Sequence, residues 1–132
     1  MHKRFITTGA LLGAIAVALG AFGAHGLKKI VAVETIQTFQ TGVQYQMYHA
    51  FALLLTGLLY EKCYQKFVRI AGILFIIGIT LFSGSLYLLT AGKAAETTSL
   101  DKAGIITPFG GVAFIAGWLF LFVAAMKKNG RS

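Results

Sequence analysis

Hydrophobic residues fill four stretches of this chain, and formal charge is confined to the segments outside them. Phe5 to Ala24, Val43 to Tyr60, Ile70 to Gly92 and Ala103 to Met126 contain no Asp, Glu, Lys or Arg. Crossing roughly 30 Å of hydrocarbon takes about 20 apolar residues as a helix. The pattern therefore predicts an all-α membrane protein, a four-helix antiparallel transmembrane bundle. Its spans fall at about 5–26, 43–61, 69–91 and 104–126, in a single transmembrane domain over 1–132. Barrel strands would need alternating stretches of about ten residues, and these are absent.

The polar stretches set the connections. Glu61 to Lys66 makes a tight turn between spans two and three, and Lys93 to Lys102 a polar loop between spans three and four. The first connection, Lys28 to Thr41, reads KKIVAVETIQTFQT, with Ala32, Ile36, Phe39 and Val43 at helical spacing. Two readings fit it. One is a short amphipathic interfacial helix between spans one and two, bending into the second span near Gly42. The other is a second helix that begins early and projects from the membrane.

Small residues predict which faces pack. Gly9, Gly13, Ala16, Gly20 and Gly23 form one stripe on span one, and Gly110, Ala113 and Gly117 form another on span four. Lipid supplies no hydrophobic force between helices, so close backbone approach through small residues holds them together. On this reasoning spans one and four are expected to pair.

Polar residues inside the spans are the candidate chemistry. Tyr45, Gln46 and His49 share span two. On span three Thr80, Ser83, Tyr87 and Thr90 stand at i, i+3, i+7 and i+10, one face of a regular helix. Span four opens with Thr107 and Pro108, and span one ends at His25 in GAFGAHGL. With alternating helix directions, His25, Gln46, His49, Ser83, Tyr87 and Thr107 lie within about two helical turns of one depth. Gly23 and Gly26 flank His25, and Lys28 and Lys29 mark the headgroup level beyond it. His25 is therefore expected to turn into the bundle, within polar reach of Gln46, His49 or Tyr87. Unpartnered polar groups are costly in lipid, so convergence at one depth would let these groups satisfy one another. The cluster then reads either as interhelical glue or as a small pocket open to the outside. Two histidines on neighbouring helices also suit haem iron, but the smooth glycine face opposes a porphyrin-wide gap, and no cofactor is expected.

Composition and charge narrow the class. The chain has 132 residues, 57% hydrophobic and 12% charged, with mean hydropathy +0.76 and net charge +8. A soluble domain would be about a quarter charged. Lys3, Arg4, Lys62, Lys66, Arg69, Lys127, Lys128 and Arg131 fall on the side of the termini, against Lys28, Lys29, Lys93 and Lys102 on the other. This bias predicts a multi-pass protein of the cell membrane with both termini cytoplasmic. The basic charge reads as an anchor against anionic lipid headgroups, and no nucleic-acid partner is expected. The basic start, the apolar run and Ala21-Phe22-Gly23 also match a signal peptide; the segment is read here as a retained helix. The lone Cys63 suits a reducing compartment and allows no disulfide within the chain. No zinc-binding, nucleotide-binding or nucleophile–base motif is present, so neither a metal site nor an enzyme is expected.

Four blocks carry a resemblance: GAFGAHGL, TGVQYQMYHAFALL at 41–54, LFSGSLYLL at 81–89 and ITPFGGVAFIAGW at 106–118. Together they resemble the small bacterial membrane-protein family called domain of unknown function four-two-three, which has eukaryotic relatives. The resemblance places Gly20, Gly23, His25, Gly26, Tyr45, Gln46, His49, Ser83, Gly84, Ser85, Tyr87, Thr107, Pro108, Gly110, Gly111, Gly117 and Trp118 at the family's motif positions. With Ser85 added, the candidate polar cluster is His25, Tyr45, Gln46, His49, Ser83, Ser85, Tyr87 and Thr107. The family implies no activity. The expected function is an uncharacterised integral membrane protein, structural or accessory, with membrane lipids around it and a homo-oligomer or larger membrane complex as its setting. The alternative is a small binder or carrier of a lipid-like or quinone-like ligand in an outer-half polar pocket.

Overall fold

A computed structural model describes residues 1–127. Lys128 and Arg131, counted above among the positive charges near the termini, lie outside the described residues. The chain runs α1 (Lys3–His25), a 3-10 turn (Leu27–Lys29), α2 (Val33–Leu59), α3 (Gln65–Gly78), a π turn (Ile79–Ser83), α4 (Gly84–Ala94), a second 3-10 turn (Asp101–Ile105) and α5 (Thr107–Met126). The segments α3, π turn and α4 form one rod, Gln65–Ala94. Among the described residues there is no strand. Three helical stretches are long and apolar enough to cross a membrane: Lys3–Lys29, Gln65–Ala94 and Asp101–Met126. Helix α2 has 27 residues but is not among them. Glu34, Gln37, Gln40, Gln44, Gln46 and His49 all lie on it and lower its hydropathy.

No separate interfacial helix lies between the first two rods. Helix α2 starts at Val33 and continues through Gly42 to Leu59. The apolar face formed by Ile36, Phe39 and Val43 packs with Ala16, Leu19 and Leu27 of the α1 end instead of lying on lipid. Gly42 is a contact point rather than a bend: a Cβ there would lie 3.0 Å from the Tyr87 ring and 3.3 Å from Leu86 Cβ.

Spans one and four do not form the principal pair. Helix α1 packs mainly on α2, and α5 on α3 with the π turn. The small-residue stripes do face partners, but these are their neighbours in sequence. A Cβ on Gly9 would sit 2.9 Å from the Ala50 carbonyl oxygen, and one on Gly23 would meet Gln40 and Phe39 at 2.7 and 2.8 Å. Gly20 faces Val43, and Gly13 stands further off, 3.9 Å from Ala50 Cβ. On α5, Gly110 lies against the Phe82 backbone and Gly117 against Phe75. A smooth stripe identifies the packed face of a helix and not its partner; short connections make the sequential neighbour the near one. The two pairs meet in an apolar core of Phe5, Ala52, Leu53, Ala71, Phe75, Ile79, Phe114 and Leu121.

The π turn changes which residues of the third rod face inward. Before it, Val68, Ala71, Gly72 and Phe75 are buried; after it, Ser85, Leu86 and Thr90 are. A π turn inserts extra backbone into the helical repeat. Thr80 therefore leaves the face expected from regular spacing: it is exposed and its hydroxyl donates to the Ile76 carbonyl of its own helix. Helix α4 closes with Glu96 at φ 56°. Its N–H donates to the Lys93 carbonyl and that of Thr97 to the Gly92 carbonyl, the double bond of a Schellman cap.

Three substitutions test this packing by thermal unfolding in detergent. Gly9→Ala should destabilise by about 1–3 kcal/mol, because the new methyl meets a backbone carbonyl. Gly13→Ala should be neutral or stabilising by up to about 1 kcal/mol, because the new methyl would meet Ala50 and Met47 only at van der Waals distance and alanine favours helix. Equal loss in both would mean that α1 does not sit on α2 in this register. Glu96→Gly should raise stability by about 1 kcal/mol by relieving the left-handed backbone.

Candidate functional site

The polar residues of the spans resolve into three linked groups, built around α2. The first centres on Gln46, which is buried. Its Nε2 donates to the Leu12 carbonyl of α1 at 2.8 Å, and its Oε1 accepts from the Tyr87 hydroxyl of α4 at 2.6 Å. One amide thus ties three helices. A second tie lies alongside, where the buried Ser83 hydroxyl donates to the Gly42 carbonyl at 2.6 Å. Gln40 adds a longer bond from its Nε2 to the Gly20 carbonyl at 3.3 Å.

The second group surrounds His49, also buried. Its Nδ1 lies 2.7 Å from the Tyr45 carbonyl, and the Trp118 indole Nε1–H reaches its Nε2 at 3.0 Å. A carbonyl only accepts and an indole N–H only donates. These partners assign the neutral tautomer with hydrogen on Nδ1. The ring also stacks on Phe114 of α5, with centroids 3.6 Å apart and planes 10° apart. This fixes the ring in position and orientation and leaves neither nitrogen free for a metal or a substrate. The third group joins the remaining helices: the buried Ser85 hydroxyl meets the Thr107 hydroxyl and also donates to the Phe82 carbonyl.

Seven of the eight residues singled out in the sequence fall in or beside these groups. Tyr45 contributes its carbonyl to His49, while its ring is exposed on one edge and packs on Phe82 at 4.7 Å. His25 does not join them. It is exposed at the end of α1, and the hydrogen bonds of Gln46, His49 and Tyr87 are made to other residues. The glycines that flank His25 serve other contacts: Gly23 admits Phe39 and Gln40, and Gly26 lies against Phe22. Of the partners found here, Trp118 stood among the motif positions without a role, and Gln40 and the Leu12 carbonyl carried no sequence signal beyond polarity or none at all.

The chemistry available is that of a closed hydrogen-bond system. Among the described residues no buried side-chain nitrogen or oxygen lacks a partner. Among the described residues no group of three His, Cys, Asp or Glu side chains is placed to hold a metal ion. Of the surface hollows found among the described residues, one of about 240 Å³ is bordered by Tyr87, and Gln46, His49, Ser83, Ser85 and Thr107 border neither it nor the hollows lined by Glu34, by Arg4 and by Phe67.

A double-mutant cycle on Gln46→Leu and Tyr87→Phe measures the central tie. The coupling energy should be about 1 kcal/mol, typical of interhelical hydrogen bonds in membranes. Gln46→Leu alone should cost more than Tyr87→Phe, because it also strips the Leu12 bond. Additive losses would show that the two side chains do not depend on each other.

Comparison with known proteins places this chain in a wider group. The chain is 47% identical over 126 residues to the UPF0382 membrane protein YwdK of Bacillus subtilis, covering 95% of this chain and 98% of the relative. It is 40% identical over 129 residues to a UPF0382 membrane protein of Haemophilus influenzae, covering 98% of each. It is 36% identical over 135 residues to the UPF0382 inner membrane protein YgdD of Escherichia coli, covering 100% of this chain and 98% of the relative. No solved structure matches the chain. The family model described as "Protein of unknown function (DUF423)" matches residues 19–111, most of the helical body, and the chain belongs to that family of membrane proteins.

Proposed function

We propose that this protein is a structural or accessory component of the cell membrane, crossing it four times with both termini in the cytoplasm, and that its polar groups serve as interhelical glue. The observation that carries this reading is the saturation of the buried polar atoms within the described residues. A ligand pocket needs convergent polar groups with capacity to spare. Here the Gln46 amide, both His49 nitrogens and the Ser83 hydroxyl are already bonded to protein partners. The same bonding supports a non-catalytic role.

Helix α2 supplies the fourth span. Of its polar side chains beyond Gln44, which is exposed, Gln46, His49 and Thr56 are buried, whereas Tyr48, Phe51, Leu55 and Leu58 are exposed. Low hydropathy in α2 therefore reflects both the groups it hides and the exposed Glu34, Gln37 and Gln44 of its first half, while the surface it presents from Tyr48 to Leu58 is largely apolar. Outward faces elsewhere are of the same kind: Leu11 and Val17 on α1, Ile73 and Ile77 on α3, and Phe109, Val112, Ile115 and Phe122 on α5. Patches of this extent on a soluble monomer would be exceptional, and a bilayer or a membrane partner suits them.

Topology is tested in intact cells with a membrane-impermeant maleimide. Cys63, between the second and third rods, should react only after permeabilisation. In a Cys63→Ser background, Ser99→Cys, between the third rod and α5, should react directly. The reverse pattern would invert the orientation, and labelling of both would remove α3–α4 as a span. Glue is separated from pocket by Gln46→Leu: loss of thermal stability that added lipid or quinone leaves unchanged supports glue. A variant of ordinary stability that has lost a co-purifying small molecule would overturn it.

A further inference from the structure

The end of the molecule that carries most of the lysines and arginines holds a hollow unrelated to the hydrogen-bonded groups above. It lies between α1 and α3, has a volume of about 420 Å³, and is bordered by His2, Arg4, Phe5, Thr8, Arg69, Ile73 and Ile76. Its size falls in the range of ligand sites, about 300–1,000 Å³. Both helices run in the same direction along it. Arg4 precedes Thr8 by one turn on α1, and Arg69 precedes Ile73 by one turn and Ile76 by two on α3, all of them bordering the hollow. The hollow therefore grades from cationic at one end to apolar at the other, along the axis expected to cross the bilayer.

The charges at the mouth are not neutralised within the fold. Arg4 is exposed, and its guanidinium makes no hydrogen bond or ion pair to a described residue. Arg69 is held over the Tyr60 ring, with its guanidinium carbon 5.7 Å from the ring centroid, and one of its nitrogens donates to the Tyr60 hydroxyl. That contact fixes the direction of the side chain and leaves further N–H donors open. No acidic residue borders the hollow. Below the mouth, the Phe5 ring is buried and Ile73 is exposed along the groove wall. Two planar guanidiniums suit a phosphate, which they bind through paired hydrogen bonds, and the apolar wall suits a chain of methylenes.

We propose that this groove between α1 and α3 binds an anionic glycerophospholipid of the leaflet at that end, with its phosphate between Arg4 and Arg69 and an acyl chain along Ile73 and Ile76. Basic pockets between transmembrane helices are a known way of selecting such lipids. The site would make the lipid a third element of the α1–α3 contact, which direct packing leaves sparse beyond the meeting of Phe5 with Gly72. The inference rests on the reading of α1 and α3 as membrane spans, and not on the role given to the polar groups of α2.

The test is native mass spectrometry of the full chain released from mild detergent micelles holding equal amounts of phosphatidylglycerol and phosphatidylcholine. The parent should retain the anionic lipid preferentially. Each arginine replaced should lower that preference about fivefold, the effect of one near-surface cation on an anionic lipid. Arg4→Gln touches no described partner and remains informative if Arg69→Gln, which loses Tyr60, fails to fold. The pair Lys62→Gln and Lys66→Gln, exposed at the same end but off the groove, should keep the preference. An unchanged preference in Arg4→Gln, or an equal fall in the lysine pair, overturns the site in favour of a diffuse field. Displacement of the lipid by millimolar inorganic phosphate would overturn the lipid as occupant in favour of a free anion. A chain that fails to float with vesicles would instead sink the spanning reading itself.

Discussion

The side-chain amide of Gln46 is the contact on which the arrangement of helices turns. Polar groups buried among packed helices have no water to fall back on, and each must be satisfied inside the protein. Gln46 meets that constraint by donating to α1 and accepting from α4 at once. It fixes the depth of three helices relative to one another, and Ser83 and Gln40 repeat the fixing nearby. Helix α2 therefore sits at the centre of the bonding, and part of its deficit in hydropathy comes from supplying those groups.

Glycine and polar side chain act as one device in this fold. Three of the interhelical bonds end on backbone carbonyls, those of Leu12, Gly20 and Gly42. A carbonyl inside a helix already accepts one bond, and its second lone pair is available only if the helix face is not crowded. Leu12 precedes Gly13, and Gly20 and Gly42 have no side chain of their own. The small residues that let helices approach thus also open the acceptors that hold them. Their effect is less to maximise contact than to make main-chain oxygens reachable from the next helix.

The sequence made the helical class, the approximate rods and most of the polar cluster legible, because charge exclusion and small-residue spacing are strong signals in apolar segments. It did not reveal which rods pair. The Gly9–Gly23 stripe looks the same whether α2 or α5 covers it, and only the connection lengths distinguish them. His25 was misplaced because glycines beside it were read as room for its ring, whereas they receive Phe39, Gln40 and Phe22. Thr80 was misplaced because a regular repeat was carried through the Ile79–Ser83 turn, for which neither proline nor charge gave warning. The pairing of His49 with Trp118 was hidden by the start of α2. Counting depth from Val43 sets His49 near the outer edge, while the helix from Val33 places it roughly 24 Å along the axis.

Trp118 is the one tryptophan in the chain, and its indole N–H is bonded across the junction of α2 and α5. All tryptophan emission from this protein therefore originates at the seam between the α1–α2 pair and the α3–α5 pair. Circular dichroism, by contrast, sums over every helix. Coincidence of the two signals on heating is a standard sign of a single cooperative transition. If the emission changed first, the two hairpins would be parting as intact units before either unwound. The molecule thus carries an internal optical gauge of whether its halves are separable, with no label added.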